Sequence, residues 1–167
     1  MLATATDPSL VNEVVLPGAV SLVVALNVLI FGWLWNARQQ RRADDARLFA
    51  DAYAAVQNYK EFPYVVRRRD PKHPGSERVR ISEELRGVQS DIAFHTAWIG
   101  LRNGKVSNAY NELVTQTRRI AGQLMREAWE RSGTASDDNM NIPDLHGPLS
   151  ELQPYEDAFL NAVRKAR

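Results

Sequence analysis

The chain has 167 residues, a formal net charge of +1, no cysteine and only three histidines. The absence of cysteine excludes disulfides, thiolate zinc sites and a cysteine nucleophile, and the length suits one small domain. The near-neutral total hides a gradient, because residues 36–80 hold eleven Lys and Arg against six Asp and Glu, whereas residues 132–167 hold three against six.

Residues 14–35 form an uncharged, apolar stretch, and arginines follow it closely. A helix of these 22 residues would measure roughly 33 Å, close to the ~30 Å hydrocarbon core of a bilayer. A cleaved signal peptide needs basic residues ahead of its apolar run, and residues 1–13 contain none. We therefore expect a retained transmembrane helix, and the main alternative is a helix buried in a protein core.

The distribution of positive charge predicts the orientation of this span. Residues 1–13 are acidic and residues 36–47 form a basic, solvated stalk, so the amino terminus should lie outside and the rest in the cytoplasm, at the plasma (inner) membrane. The stalk arginines could also contact anionic lipid headgroups, although a plain topology signal accounts for them equally. These residues are Arg38, Arg41 and Arg42.

The span carries small residues on one helix face and a single amide on the opposite face. Small residues let a second helix approach closely, and an amide near the bilayer centre favours a partner. We expect contacts with other membrane helices, and the alternative is a lone span with incidental small residues. The predicted contact residues are Gly18, Ser21, Ala25, Asn27 and Gly32.

Residues 48–131 are predicted to form a helical domain that contains a basic loop at 63–81. The first helix has apolar positions spaced by three and four up to Phe62, and Pro63 is expected to end it. The β-branched and basic stretch 64–81 indicates a short β-hairpin or an ordered loop. Its arginines either contact an anionic surface or pair with neighbouring carboxylates; they are Arg67, Arg68, Arg69, Arg78 and Arg80.

Two further helices are predicted to follow as an antiparallel hairpin. Ser82 is expected to cap the first helix, whose buried stripe runs from Ile81 to Ile99. Asn103-Gly104 should end that helix, and the second should reach from Val106 to about Arg131, with a buried stripe that runs from Val106 to Ala128 at spacings of three and four. Residues 132–149 are expected to be a flexible acidic linker, and residues 150–167 a final helix that docks on the hairpin.

His95 falls on the buried stripe of the first hairpin helix. If the two helices pack antiparallel, it should lie near Glu112 of the second helix, with Asp91 one turn away on its own helix. A carboxylate contact would favour the imidazolium and make the bundle sensitive to mild acid. The alternative is an ordinary core histidine with no functional role.

The sequence as a whole predicts an all-α protein: one transmembrane helix, a charged stalk and a small cytosolic bundle. We expect no enzyme, no cofactor and no metal, since no catalytic or ligand motif is present. No nucleic acid is expected, because no aromatic residue is interleaved with the basic positions of residues 67–80. The expected function is a membrane-anchored interaction or scaffold protein that self-associates or recruits a protein partner. The alternative is an effector whose oligomerised spans form a pore or perturb the bilayer.

Overall fold

The computed structural model describes residues 8–134 and 142–166, with side chains described at Leu29 and from Phe31 onward. The prediction of an all-α fold is confirmed for these residues, in which helices occur and no strand does. The helices are α1 (Pro8–Arg67), α2 (Pro74–Arg102), α3 (Gly104–Glu130), α4 (Pro143–Ser150) and α5 (Gln153–Ala166).

The chain divides into two compact units, Met1–Asp44 and Asp45–Arg167. The second unit, which we call the bundle, holds the hydrophobic core. The first contributes the earlier part of α1, in which the described apolar side chains are exposed. Among the helices whose side chains are described, none has the length and apolarity needed to cross a bilayer. Most of the span predicted at 14–35 lies outside the residues whose side chains are described.

Helix α3 is the central helix of the bundle. It packs against α2, α4 and α5, and its Tyr110 hydroxyl donates a hydrogen bond of 3.2 Å to the Ala52 carbonyl of α1. Every position of its predicted stripe is buried, which confirms the assignment. The buried residues of α3 are Val106, Tyr110, Leu113, Val114, Thr117, Ile120, Ala121, Leu124, Met125 and Ala128.

The break between the hairpin helices is where the sequence predicts it. Helix α2 ends at Arg102 and α3 begins at Gly104, so Asn103 alone connects them. The Asn103 side chain accepts hydrogen bonds from the backbone N–H groups of Lys105 and Val106, as a good N-cap does. A one-residue connection forces the two helices to run antiparallel.

The predicted end of α1 at Pro63 is wrong, because the helix continues to Arg67. Proline lacks the N–H donor that a helix interior uses, but Phe62, Pro63 and Val66 are all buried in the core. Burial of these side chains stabilises the extra turn more than the missing hydrogen bond weakens it.

The β-hairpin or loop at 64–81 and the cap at Ser82 are also corrected. Residues 64–67 are helical, only the short stretch between Arg67 and Pro74 is irregular, and Ser82 lies inside α2. Pro74 opens α2 at a position where its missing donor costs nothing. Arg80 then pairs with Glu77 and Glu84 along the same helix, which supports a helical start.

The predicted linker is partly folded. Helix α4 occupies Pro143–Ser150 and buries Leu145 and Leu149 against the core. The predicted final helix is confirmed as α5, although it begins at Gln153. Its Phe159 is fully buried and packs on the rings of Tyr53 and Tyr110 at centroid distances of 6.3 and 5.4 Å.

Replacing Phe159 by Ala should destabilise the bundle by about 3–5 kcal/mol, because it leaves a cavity between α1, α3 and α5. Phe94→Ala is the matched control, since Phe94 is 61% exposed and its loss should cost at most about 0.5 kcal/mol. Urea unfolding of the full-length chain in detergent, followed by tryptophan fluorescence, measures both. Equal losses for the two variants would contradict this arrangement of the core.

Candidate functional site

The arginines of the predicted basic surface differ in their exposure and in their contacts. Arg69 lies across the carboxyl end of α3, where its guanidinium donates to the carbonyls of Ala128, Trp129 and Arg131. It also lies over the Trp129 ring, 4.8 Å from the centroid. Burial, assisted by the nearby Arg67 charge, lowers the pKa of Arg69. This side chain caps a helix, so its placement differs from that of a lipid contact.

Arg67 is also held within the bundle. Its guanidinium lies 3.7 Å from the Asp144 carboxylate, which accepts a closer hydrogen bond of 2.6 Å from Arg131. The backbone nearby is equally tight, because a Cβ on Gly133 would collide with the Arg69 carbonyl. The end of α1 and the segment after α3 are therefore locked together, and only glycine fits at position 133.

The other arginines of this region remain at the surface. Arg68 lies over the Tyr64 ring, 5.4 Å from its centroid. The guanidinium of Arg80 bonds to Glu77 and Glu84, and these hydrogen bonds raise the pKa of Arg80. Arg78 is exposed. The alternative that these arginines pair with nearby carboxylates therefore describes Arg80 well.

The turn before α2 is ordered by Asp70. One carboxylate oxygen contacts Nδ1 of His73 at 2.8 Å and the other accepts a hydrogen bond from the Lys72 backbone N–H. The hydrogen bond with His73 lowers the pKa of Asp70. Asp70 thus stabilises the local backbone conformation of this exposed turn.

His95 lies on the bundle side of α2 and is half-buried. Its Nδ1 atom is buried and makes no hydrogen bond, and its ring meets Phe94 edge-on at 5.3 Å. Glu112 is exposed and accepts a hydrogen bond from Gln116 instead. The predicted pairing of His95 with Glu112 is therefore not formed at Nδ1.

A polar cluster that sequence reasoning missed joins α1 to α5. The Glu156 carboxylate accepts hydrogen bonds from Gln57 at 2.9 Å and from Lys60 at 2.8 Å. Burial alone would raise the pKa of Glu156, but these hydrogen bonds outweigh it and lower the pKa. The partners are about a hundred residues apart in the sequence, so no local spacing indicates them.

The first described residues of the predicted membrane region are exposed and apolar. Leu29, Phe31, Trp33 and Trp35 each have more than 60% of their surface open. The stalk residues Arg38, Arg41 and Arg42 follow on the same helix and are exposed too. Gly32 has open space where a side chain would lie. The other predicted contact residues, Gly18, Ser21, Ala25 and Asn27, lie outside the described side chains.

Helix α2 carries an exposed apolar strip, which we define as Phe94, Trp98 and Leu101. These residues are 61%, 43% and 81% exposed, and their spacing of four and three places them on one helix face. The Phe94 and Trp98 rings stack at 6.2 Å. The sequence contains this spacing, but it predicts the buried stripe from the apolar residues on the opposite face and gives no separate signal for an exposed strip.

Within the described parts of the chain, no group of three or more His, Cys, Asp or Glu side chains is arranged to hold a metal ion. Comparison of the chain with known protein families, curated proteins and solved structures found no match.

Replacing Arg69 by Ala should destabilise the bundle by about 2–3 kcal/mol, because the partly buried carbonyls of Ala128 and Trp129 lose a charged donor. Arg78→Ala, which removes an exposed arginine from the same basic segment, should have little effect. Urea unfolding of full-length protein in detergent compares them. If both variants keep wild-type stability, Arg69 does not act as a helix cap.

The Glu156 cluster predicts a specific dependence on pH. A carboxyl whose pKa is lowered by folding stabilises the native state above its ordinary value of 4.5, and this contribution disappears as the pH falls through the lower folded pKa. Glu156→Gln should therefore lower stability at neutral pH by about 1–2 kcal/mol and flatten the loss below pH 4.5. Thermal melts across this pH range, with exposed Glu83→Gln as control, test it; parallel profiles for all three proteins would disprove it.

Proposed function

We propose that the protein is a single-pass, membrane-anchored helical interaction protein that self-associates or recruits a cytosolic partner to the membrane. The observation that carries the proposal is the exposed run of large apolar side chains at the end of the predicted span. It is unfavourable for a helix in water to expose Leu29, Phe31, Trp33 and Trp35 together. Exposure of these side chains to lipid is favourable, and tryptophan pairs are typical of the headgroup level.

The arginines that follow support the same proposal. Arg38, Arg41 and Arg42 are all exposed, so they are free to remain in water or to meet anionic headgroups on the cytoplasmic side. No contact with the bundle is needed to explain them. A charged stalk between an apolar helix and a folded domain is what an anchor requires.

The bundle supports the interaction part of the proposal. Its core is formed from residues of its own unit, and several of its ionised side chains make structural contacts, as Arg69, Lys60 and Glu156 do. Among its described residues, Leu101 of the α2 strip is the most exposed large apolar side chain. Such a surface suits association with another molecule better than it suits free exposure to water.

Membrane extraction tests the anchor. The full-length chain should stay with membranes in alkaline carbonate, whereas Val23→Arg with Val24→Arg should release it, because each arginine at the bilayer centre costs about 2.5–3.5 kcal/mol. Gln39→Arg with Ala43→Arg, placed in the exposed stalk, is the matched control and should remain membrane-bound. A wild-type chain found in the carbonate supernatant would refute the proposal.

The same membranes test the interaction. Chemical cross-linking of the full-length chain should give a dimer or an adduct with a cytosolic protein, and a strictly monomeric product would contradict the proposal. Expression of residues 1–47 alone should leave the membrane potential intact. Dissipation of the potential by that segment would point to a bilayer-perturbing effector instead.

A further inference from the structure

One end of the bundle combines exposed apolar side chains with exposed cations. Asp45 is the first residue of the bundle, and its carboxylate accepts a hydrogen bond of 2.9 Å from Arg102 at the end of α2. We call this region the Asp45 end. It contains Trp98 and Leu101 of the α2 strip, because both lie within about one turn of Arg102.

The amino end of α3 and the carboxyl end of α5 lie at the same end. Asn103 and Lys105 line an open cleft of about 660 Å³ together with Asn161 and Lys165, and Asn103 follows Arg102 directly. Lys105, Arg164 and Lys165 are exposed. The Asp45 end therefore presents three exposed cations beside Arg102, whose charge Asp45 already balances.

The opposite end of the bundle is different in character. Along α1, Arg67 is about 33 Å from Asp45, at 1.5 Å per residue. Arg67, Arg69 and Arg80 there are held by Asp144, by helix carbonyls or by glutamates, whereas Lys72 and Arg78 are exposed. The large exposed apolar side chain described at that end is Val79. Among the described residues, that end therefore lacks the group of exposed aromatic and aliphatic side chains that would enter the headgroup region, and it is the less suited of the two ends.

We propose that the Asp45 end of the bundle docks on the surface of an anionic bilayer, with the α2 strip entering the headgroup region and the cations contacting lipid phosphates. The proposal rests on the membrane anchor proposed above, since the chain reaches the bundle from that side through Asp45. It replaces the predicted contact surface at 67–80 with one at the other end of the molecule.

The dimensions and the chemistry of the strip suit this occupant. Phe94 to Leu101 covers about 10 Å along α2, so three large apolar side chains lie within a short length of one helix face. Exposed Trp and Leu side chains beside Lys and Arg are the combination that favours the bilayer boundary, where apolar burial and attraction to anionic lipid act together. Between Gly87 and Leu101, Asp91 is the one formally charged residue, so little charge has to be desolvated.

The attraction between the lysines and an anionic surface allows the docked population to be estimated. Each lysine close to an anionic surface contributes about fivefold to the docked population, equivalent to about 1 kcal/mol. Removing both Lys105 and Lys165 should therefore reduce the ratio of docked to undocked protein by about 25-fold. Raising the salt concentration should weaken docking in the same direction.

The absence of native cysteine allows a site-specific test on the full-length protein. Leu101→Cys is labelled with an environment-sensitive fluorophore and reconstituted at one copy per nanodisc, in phosphatidylcholine alone or mixed with phosphatidylserine. We expect a blue shift, and quenching by lipids with a spin label near the headgroup, that are stronger in the anionic discs. Val79→Cys, an exposed apolar position on the same helix about 33 Å away, is the matched control and should not respond.

Charge variants complete the test. Lys105→Gln with Lys165→Gln should remove most of the Leu101 signal, whereas Lys72→Gln with Arg78→Gln, at the far end, should preserve it. The proposal is overturned if Leu101 reports the same environment in both lipids, if Val79 responds equally, or if the lysine pair has no influence. A signal that requires two copies per disc would assign the strip to a second copy of the chain. Carbonate extraction of the same proteins reports the anchor separately, so the two failures are distinguishable.

Discussion

The bundle depends on burial of one face of α3. Ten of its residues are buried, and its neighbours α2, α4 and α5 each pack against it. α1 joins it through the hydrogen bond from Tyr110 to Ala52. Burial of Tyr110 raises the pKa of its hydroxyl, which extends to higher pH the range over which this group can donate. Helices that share one central neighbour lose their common support together when that neighbour is disrupted.

Two long-range polar contacts close the bundle around this core. Arg69 ties the end of α1 to the last carbonyls of α3, and Glu156 ties α5 to Lys60 of α1. Buried or half-buried charges are costly unless they are paired, so each contact also restricts which arrangement of helices is acceptable. The charged residues therefore help to select the packing that the apolar residues stabilise.

The regular part of this fold could be predicted from the sequence. The stripe of α3 and the Asn103-Gly104 break were identified because their signals are local and do not compete with other signals. The end of α1 was missed because Pro63 has a strong local preference that burial in the core overrides. The β assignment of Tyr64, Val65 and Val66 failed for the same reason, since propensity is weaker than tertiary packing.

The candidate site was less predictable because it depends on which ends of the helices meet. Within a basic run, the sequence does not distinguish an arginine that caps a helix, as Arg69 does, from one that stays in water, as Arg78 does. Nothing in the spacing of Lys105 and Lys165 indicates that they line one cleft. The helical hairpin brings the first into place, and the docking of α5 brings the second.

The division of α2 into two halves connects these observations. Its first half, Pro74 to Arg86, contains six charged residues, whereas the half from Gly87 to Leu101 contains one. A helix that is apolar on several faces normally has partners on those faces, but the face of α2 that carries Phe94, Trp98 and Leu101 is exposed. The uncovered face lies at the end where the chain arrives from its most apolar segment. Lipid at that end would cover the exposed face of α2, and it would leave the charged half of the helix in water.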